Sequence, residues 1–425
     1  MRAGMDSPQA KSVQFPLHQA EFVIMMAAFQ ALQALAIDVM LPALGIIARD
    51  LDVVDPNARQ LIVGVFLISS GIGTLVPGAL ADRFGRRPVI LIALCAYVLC
   101  SIACALAGSF TLLLVARALM GLSSSAMMVM PMTILRDRYE GDEMARTQSL
   151  VAMTFMVVPM VAPLLGQSVL LFAGWRWIFG IMATVSTLVF LWALVRLPET
   201  LRPEYRQPVR PGVVARNMVQ ALTVREAFGY FLGAAFVQGA LFGYINSAQQ
   251  LVGEHFGLGL LFPAVFGVMA LIMASTNFVN SRIVERFGAR RVSHTALLTY
   301  IGLAVIHFFL ARNGEAFWVF FMLMTSSMCM MSFIGANFQA ISLQPFARFA
   351  GAAASAMAFV RTVLGATLGA AIGQAYDGTA RTILAAMVVC GVSALILVLY
   401  SERGRLFRRV NPLGFYKNTL PPAAP

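Results

Sequence analysis

GALADRFGRR, residues Gly78–Arg87, and RIVERFGARR, residues Arg282–Arg291, are two copies of one short motif. Acid, basic residue, Phe, Gly and arginine recur in order, with Asp82 answering Glu285 and Gly85 answering Gly288. The two glycines lie 203 residues apart in a chain of 425. A repeat of about half the chain, in the same orientation, describes a duplicated bundle. In duplicated membrane transporters the substrate site lies between the halves.

Composition agrees with that class. Hydrophobic residues make up 59% of the chain and charged residues 12%, which is too apolar for a soluble globular protein. Apolar windows between residues 22 and 400 are each near the 20 or so residues that a helix needs to cross the hydrocarbon. They read as six spans plus six. The expected fold is an all-α membrane protein of 12 transmembrane helices, arranged as two six-helix bundles related by a pseudo-two-fold repeat. Its parts are a cytoplasmic segment 1–21, a first bundle 22–196, a central loop 197–225, a second bundle 226–401 and a mobile basic tail 402–425.

The net charge of +12 is a matter of topology. Both termini and the even-to-odd loops are assigned to the cytoplasm. The opposite loops then carry only Arg49, Arg59, Arg176, Arg312 and Arg381, and Arg117 and Arg361 fall inside spans. The other 24 of the 31 Lys and Arg residues lie on the cytoplasmic side. This is the positive-inside bias, and no nucleic-acid partner is expected. The long first window reads as an uncleaved helix. Five cysteines in apolar windows read as free thiols. The scattered histidines offer no metal cluster, and His307 reads as packing or a helix contact. Nothing resembles an ATP-binding loop. No cofactor and no enzymatic activity are expected.

Gly85 allows the tight turn between adjacent spans. Asp82 suits a helix N-terminus or an arginine partner, and Arg86 and Arg87 sit at the headgroups. Three charges fall within the hydrocarbon: Asp38, Arg117 and Arg361. Such charges are costly and usually face a cavity or a partner. At 1.5 Å per residue, Asp38 and Arg117 lie at similar depth and are expected to pair across the first bundle. Asp38 is the expected proton carrier, with a permanent structural ion pair as the alternative. Arg361 stands near the midplane, and its repeat-related position is Val158. It either touches an anionic or carbonyl-rich substrate, balances Asp38, or is satisfied by helix carbonyls, Gln339 or Asn337. Pro159, Pro163 and Gly166 bend and thin the fifth span. Gln30, Gln33, Tyr244, Asn246, Gln249, Asn337 and Arg361 are the candidate cavity residues.

Over about residues 22–400 the chain resembles the major facilitator superfamily, and most of all its 12-span drug:proton antiporters of the bicyclomycin/chloramphenicol-resistance (Bcr/CflA) branch. The strings that carry the resemblance are AIDVMLPAL (Ala36–Leu44), GALADRFGRRPVIL, RALMGL (Arg117–Leu122), LRDRY (Leu135–Tyr139), PMVAPLLG (Pro159–Gly166), LPETL (Leu197–Leu201), NSRIVERFGA and Ala350–Ala370. The resemblance implies alternating access, and a latch of Asp82, Arg86 and Asp137 that closes the cytoplasmic gate in the outward-open state. The matching Glu285 and Gly288, with Gly85 and Arg87, belong to that gate. PMVAPLLG matches an antiporter motif thought to oppose leak, although Gln167 stands where the family often has a second glycine. The implied function is proton-coupled export of small amphipathic organic compounds, as a monomer in a bacterial-type inner membrane. The partners are a small-molecule substrate, protons and the lipid bilayer, and the proton gradient is the energy source. The alternatives are a dedicated exporter of one metabolite such as a siderophore or sugar, or a non-transporting membrane sensor.

Overall fold

The structure is a computed structural model. It describes residues 17–139, 157–201, 222–346 and 350–408, with isolated positions between them. The expected N-terminal segment up to residue 16, most of the loop 202–221 and the tail 409–425 lie outside the described residues.

Among the described residues the regular structure is helical. The helices are α1 (Gln19–Asp50), α2 (Ala58–Gly73 bent by 44° onto Pro77–Phe84), α3 (Arg86–Ala105), α4 (Phe110–Arg138), α5 (Val158–Phe172) and α6 (Arg176–Arg196). The second half has α7 (Arg225–His255), α8 (Phe262–Phe287), α9 (Ala289–Leu310), α10 (Phe317–Phe346), α11 (Ala350–Gln374) and α12 (Ala380–Ser401). Ten of these are long and apolar enough to cross a membrane, and the bent α2 makes an eleventh. Helix α5 has 15 described residues. The chain is a multi-pass membrane protein. Its outer apolar side chains, such as Phe172, Trp177 and Trp318, are largely exposed; hydrocarbon takes the place of a core there, while every backbone group must be bonded inside the fold.

Local sequence explains the breaks. Gly85 has φ +105° and Gly288 has φ +86°. Each ends one helix and begins the next. The two motif copies therefore share one turn at positive φ and extended ψ, 160° at Gly85 and 146° at Gly288, a conformation in which a side chain costs about 1–3 kcal/mol. Gly288→Ala should lower the melting temperature in detergent. Gly302→Ala, inside α9 with open space around its α-carbon, should leave it unchanged or raise it. Equal losses for both would remove the turn argument.

The regular part of α1 ends at Asp38, followed by a short turn over Leu41–Ala43 with Pro42 at its centre. Helix α7 ends in a wide π turn, Gln250–His255. Packing within each half is dense, with α2 on α4 and α7 on α11 and α12. Between halves, α2 lies on α11 and α5 on α8. These two contacts are related by the sequence repeat, since α2 answers α8 and α5 answers α11. Residues 402–408 depart from the expected mobile tail. They fold back on α9, where Phe407 N donates to His294 Nδ1 at 3.0 Å and its carbonyl accepts from Arg291 Nε at 3.1 Å.

Candidate functional site

The end of the molecule that carries the two motif turns holds one polar network in each half. In the first, Arg86 donates from Nη1 to Asp82 at 2.6 Å and from Nε to Asp137 at 3.0 Å. Thr200 donates to the same Asp137 oxygen at 2.9 Å. Glu199, not expected from the sequence, accepts from the backbone N of Arg86 at 2.8 Å and of Arg87 at 3.2 Å. It thus caps α3 at the positive end of its dipole. Arg87 reaches the Leu194 carbonyl.

The second half answers with Glu402, which lies 203 residues after Glu199. Arg290 donates to it at 2.7 Å and to Gln344 at 3.0 Å. Because His294 Nδ1 accepts from Phe407, its Nε2 carries the hydrogen. That nitrogen donates to Tyr230 Oη at 2.9 Å, and Tyr230 donates to Glu402 at 2.7 Å. Burial works against ionising Glu402, but Arg290 and Tyr230 outweigh it and hold the carboxyl below its ordinary range. The stability it adds is present above the ordinary glutamate pKa and is lost as pH falls through the lowered value. The side chain of Glu285 lies outside what the structure describes.

Asp82, Arg86 and Asp137 thus meet. Their network lies within the first half and the start of the central loop, and it fixes α2, α3 and α4 to one another. At the opposite end of the molecule the two halves close on each other.

That closure is a polar clasp between the halves, which sequence reading missed. Arg59 grips Glu254 through two bonds of 2.8 and 2.9 Å. Asn57 Nδ2 donates to the carbonyls of Gln374 and Tyr376 at 3.1 and 2.8 Å, and Gln374 Nε2 returns a bond to the Asn57 carbonyl at 2.7 Å. Gln60 lies against Ser247 and Gln250. Below the clasp, Gly64 faces Ala370 and Gly71 faces Val363. The hydrogen bonds joining the halves gather at this end. His307 also lies toward it, buried with Glu315 at 2.9 Å, which is a specific form of the expected helix contact.

The charges inside the hydrocarbon do not pair as expected. Arg117 is fully buried. Its guanidinium stacks 4.3 Å from the Phe66 ring, and its Nε donates to the Ile62 carbonyl at 3.0 Å. Both partners belong to α2. Equal depth brought Arg117 level with Asp38, but its azimuth on α4 turns it to α2 instead of α1. Asp38 is buried and, among the described residues, has neither ion-pair nor hydrogen-bond partner. It is the last residue of regular α1. Gly166 of α5 packs directly on the carbonyl of Val39, the next residue. A second glycine is therefore not needed for close packing there. Pro163 lies inside α5 and Pro159 in its first turn. The carbonyl of Met160 meets Gly267 of α8, so α5 connects the bend beside Asp38 to the other half.

The polar cavity candidates separate into groups. Gln33 is satisfied within the first half by Ser70 and Met128, and Gln30 is half-buried nearby on α1. Asn337 bonds Asn280 at 2.8 Å and the Phe333 carbonyl at 2.7 Å. Tyr244 is buried with its hydroxyl on Met269. Asn246, buried with both amide atoms unpartnered, and Gln249 lie toward the clasp. Arg361 bonds Gln339 Oε1 at 3.0 Å. It opens on a small pocket of about 30 Å³ between α7, α10 and α11.

The family model described as Major Facilitator Superfamily matches residues 26–373. The chain belongs to the major facilitator superfamily. It is 29% identical to a bicyclomycin resistance protein homolog of Haemophilus influenzae over 381 residues, 88% of this chain and 94% of that one. It is 29% identical to a chloramphenicol resistance protein of Pseudomonas aeruginosa over 294 residues, 68% of each. A crystal structure of a bacterial homolog of the human lysosomal transporter Spinster, inward-facing and unoccupied, superposes with a TM-score of 0.70 at 16% identity, covering 97% of this chain and all of that one. At that identity the likeness concerns the fold. The resemblance carried by the sequence motifs is thereby confirmed at the level of the superfamily, and the resistance-protein relatives accord with the branch that PMVAPLLG and its companions indicated.

Proposed function

We propose that this major facilitator exports small amphipathic organic compounds in exchange for protons, across the inner membrane of a bacterium, with both termini in the cytoplasm. Twelve spans in two bundles rock about the interface made by α2 with α11 and α5 with α8. The clasp then lies at the outer face, and the structure stands for the inward-facing, outside-closed state. The basic loops at the motif end support this orientation.

One observation carries the reading. Among the described residues Asp38 is the sole carboxylate deep inside a span, it is buried, and none of them pairs with it. An unpaired charge at such a place is expensive, whereas a carboxyl that takes up a proton is not charged. Asp38 also stands at the bend of α1, next to Val39, whose carbonyl packs on Gly166 of the motif thought in exporters to oppose leak. Motion of α5 against α8 acts directly on its surroundings. The relatives named for bicyclomycin, chloramphenicol and multidrug resistance support organic compounds as the substrate.

The experiment is transport of chloramphenicol and bicyclomycin, alongside a panel of amphipathic dyes, in proteoliposomes with an imposed pH gradient and a trapped pH indicator. Export with proton movement in the opposite direction is expected for at least one compound. Transport that ignores the pH gradient, or no proton movement with any compound, would overturn the proposal.

A further inference from the structure

We propose that Arg361, with Gln339, binds the oxyanion of an organic carboxylate carried by this transporter. The direction of movement rests on the export reading above, but the binding does not.

Among the described residues, none of the three intramembrane charges Asp38, Arg117 and Arg361 has an ion-pair partner. A carboxyl can lose its charge by taking up a proton. A guanidinium cannot, because arginine stays protonated in proteins. Of the two arginines, only Arg361 opens on a pocket where an anion can reach it. Its one described hydrogen bond is from Nη1 to the neutral Gln339, and its Nε is buried without an acceptor. Arg117 shows how this chain treats a structural arginine. Its guanidinium is fully buried, with a ring face on one side and a carbonyl on Nε. Arg361 has neither, and it is half exposed to a pocket.

That pocket has the shape of an end-group subsite. Phe231 and Met357 give it soft apolar walls, and Ser342 and Gln339 add polar groups beside Arg361. The pocket's free volume is only about 30 Å³, a few times what one water needs. It suits the carboxylate end of a ligand whose apolar part lies outside it, against Phe231 and Met357. The guanidinium fork matches two carboxylate oxygens. Arg361 also lies on α11, which packs across the interface on α2. A ligand held here touches an element that moves when the halves rock. The repeat-related residue is Val158, so this position carries a charge in the second half only.

The test measures equilibrium binding to the purified full chain in neutral detergent. The probes are radiolabelled naphthalene-2-carboxylate and the uncharged naphthalene-2-carboxamide. The wild type should bind the carboxylate about 10-fold more tightly than the carboxamide or better, the order expected of a charge-assisted pair. Arg361→Gln should bring that ratio to about one while carboxamide affinity holds, which shows that the variant is folded. Arg361→Lys should retain part of the preference, since it keeps the charge and loses the fork. A wild-type ratio of one or below, or a ratio unchanged in Arg361→Gln, would overturn the proposal. So would displacement of neither arene probe alongside tight, Arg361-dependent binding of phosphatidylglycerol, which would make this a lipid headgroup site. Anion-selective binding in a protein that moves no protons would leave the subsite standing and remove the export reading instead.

Discussion

Asp38→Asn should abolish concentrative export while the protein still folds and still exchanges substrate down its gradient. With one proton per molecule, a gradient of one pH unit sustains about a tenfold concentration ratio, the equivalent of 1.36 kcal/mol. In the variant that ratio should fall to one. Asparagine matches the size of the side chain at the bend of α1, where Val39 supports Gly166, but it cannot titrate. Because Arg117 is held by Phe66 and the Ile62 carbonyl, it does not lose a partner when Asp38 is changed. Asp38→Asn should therefore elute as a single species from size exclusion at wild-type yield. The measurement is substrate accumulation in proteoliposomes against an imposed pH gradient, with counterflow as the control for intact binding. A wild-type ratio in Asp38→Asn would assign proton coupling elsewhere.

Opening the clasp should move the population of states by a comparable amount. Arg59 is nearly buried, but 53% of the Glu254 side chain is exposed. Solvent screening therefore limits that pair to about 1 kcal/mol. The two bonds from Asn57 to main-chain carbonyls add about 1 kcal/mol each. The double variant Asn57→Ala/Arg59→Gln should then favour the outside-open state by about 2–3 kcal/mol, or roughly 30- to 150-fold. The reporter is Ser247→Cys in a cysteine-free background, since Ser247 is fully buried under the clasp. Its labelling by a membrane-impermeant maleimide from the outer face should rise in the double variant. If labelling stays at the level of the reporter alone, the clasp does not hold the halves together.

Much of this was legible in the sequence, for reasons particular residues make plain. Apolar windows and two copies of one turn motif define the helices and the duplication, because Gly85 and Gly288 can be recognised as turn residues without any tertiary information. Asp38 was legible as well, since a carboxylate in hydrocarbon stands out by cost alone. That Arg117 would not pair with it was not. Rise per residue gives the height of Arg117 but says nothing about the direction its side chain takes round the helix. The clasp was hidden for another reason. Asn57, Gln60, Glu254 and Gln374 are ordinary polar residues near helix ends, and only the docking of α2 against α7 and α11 brings them together. Glu402 carried a signal that reading overlooked, its place 203 residues after the Glu of LPETL.

The positive charge of Arg361 also has an electrical consequence. When the halves rock, Arg361 changes from facing the cytoplasm to facing the outside, and the membrane voltage acts on it although it hardly moves. Each elementary charge is worth about 2.3 kcal/mol per 100 mV. In the proposed cycle the loaded outward stroke carries ionised Asp38, Arg117, Arg361 and one bound carboxylate, with no net charge. The return carries protonated Asp38, Arg117 and Arg361, a net charge of plus two. A negative interior therefore drives the return and leaves the loaded stroke to the substrate and proton gradients. Without the Arg361 guanidinium the loaded stroke would carry minus one and the return plus one. Arg361 thus shifts the electrical work onto the return.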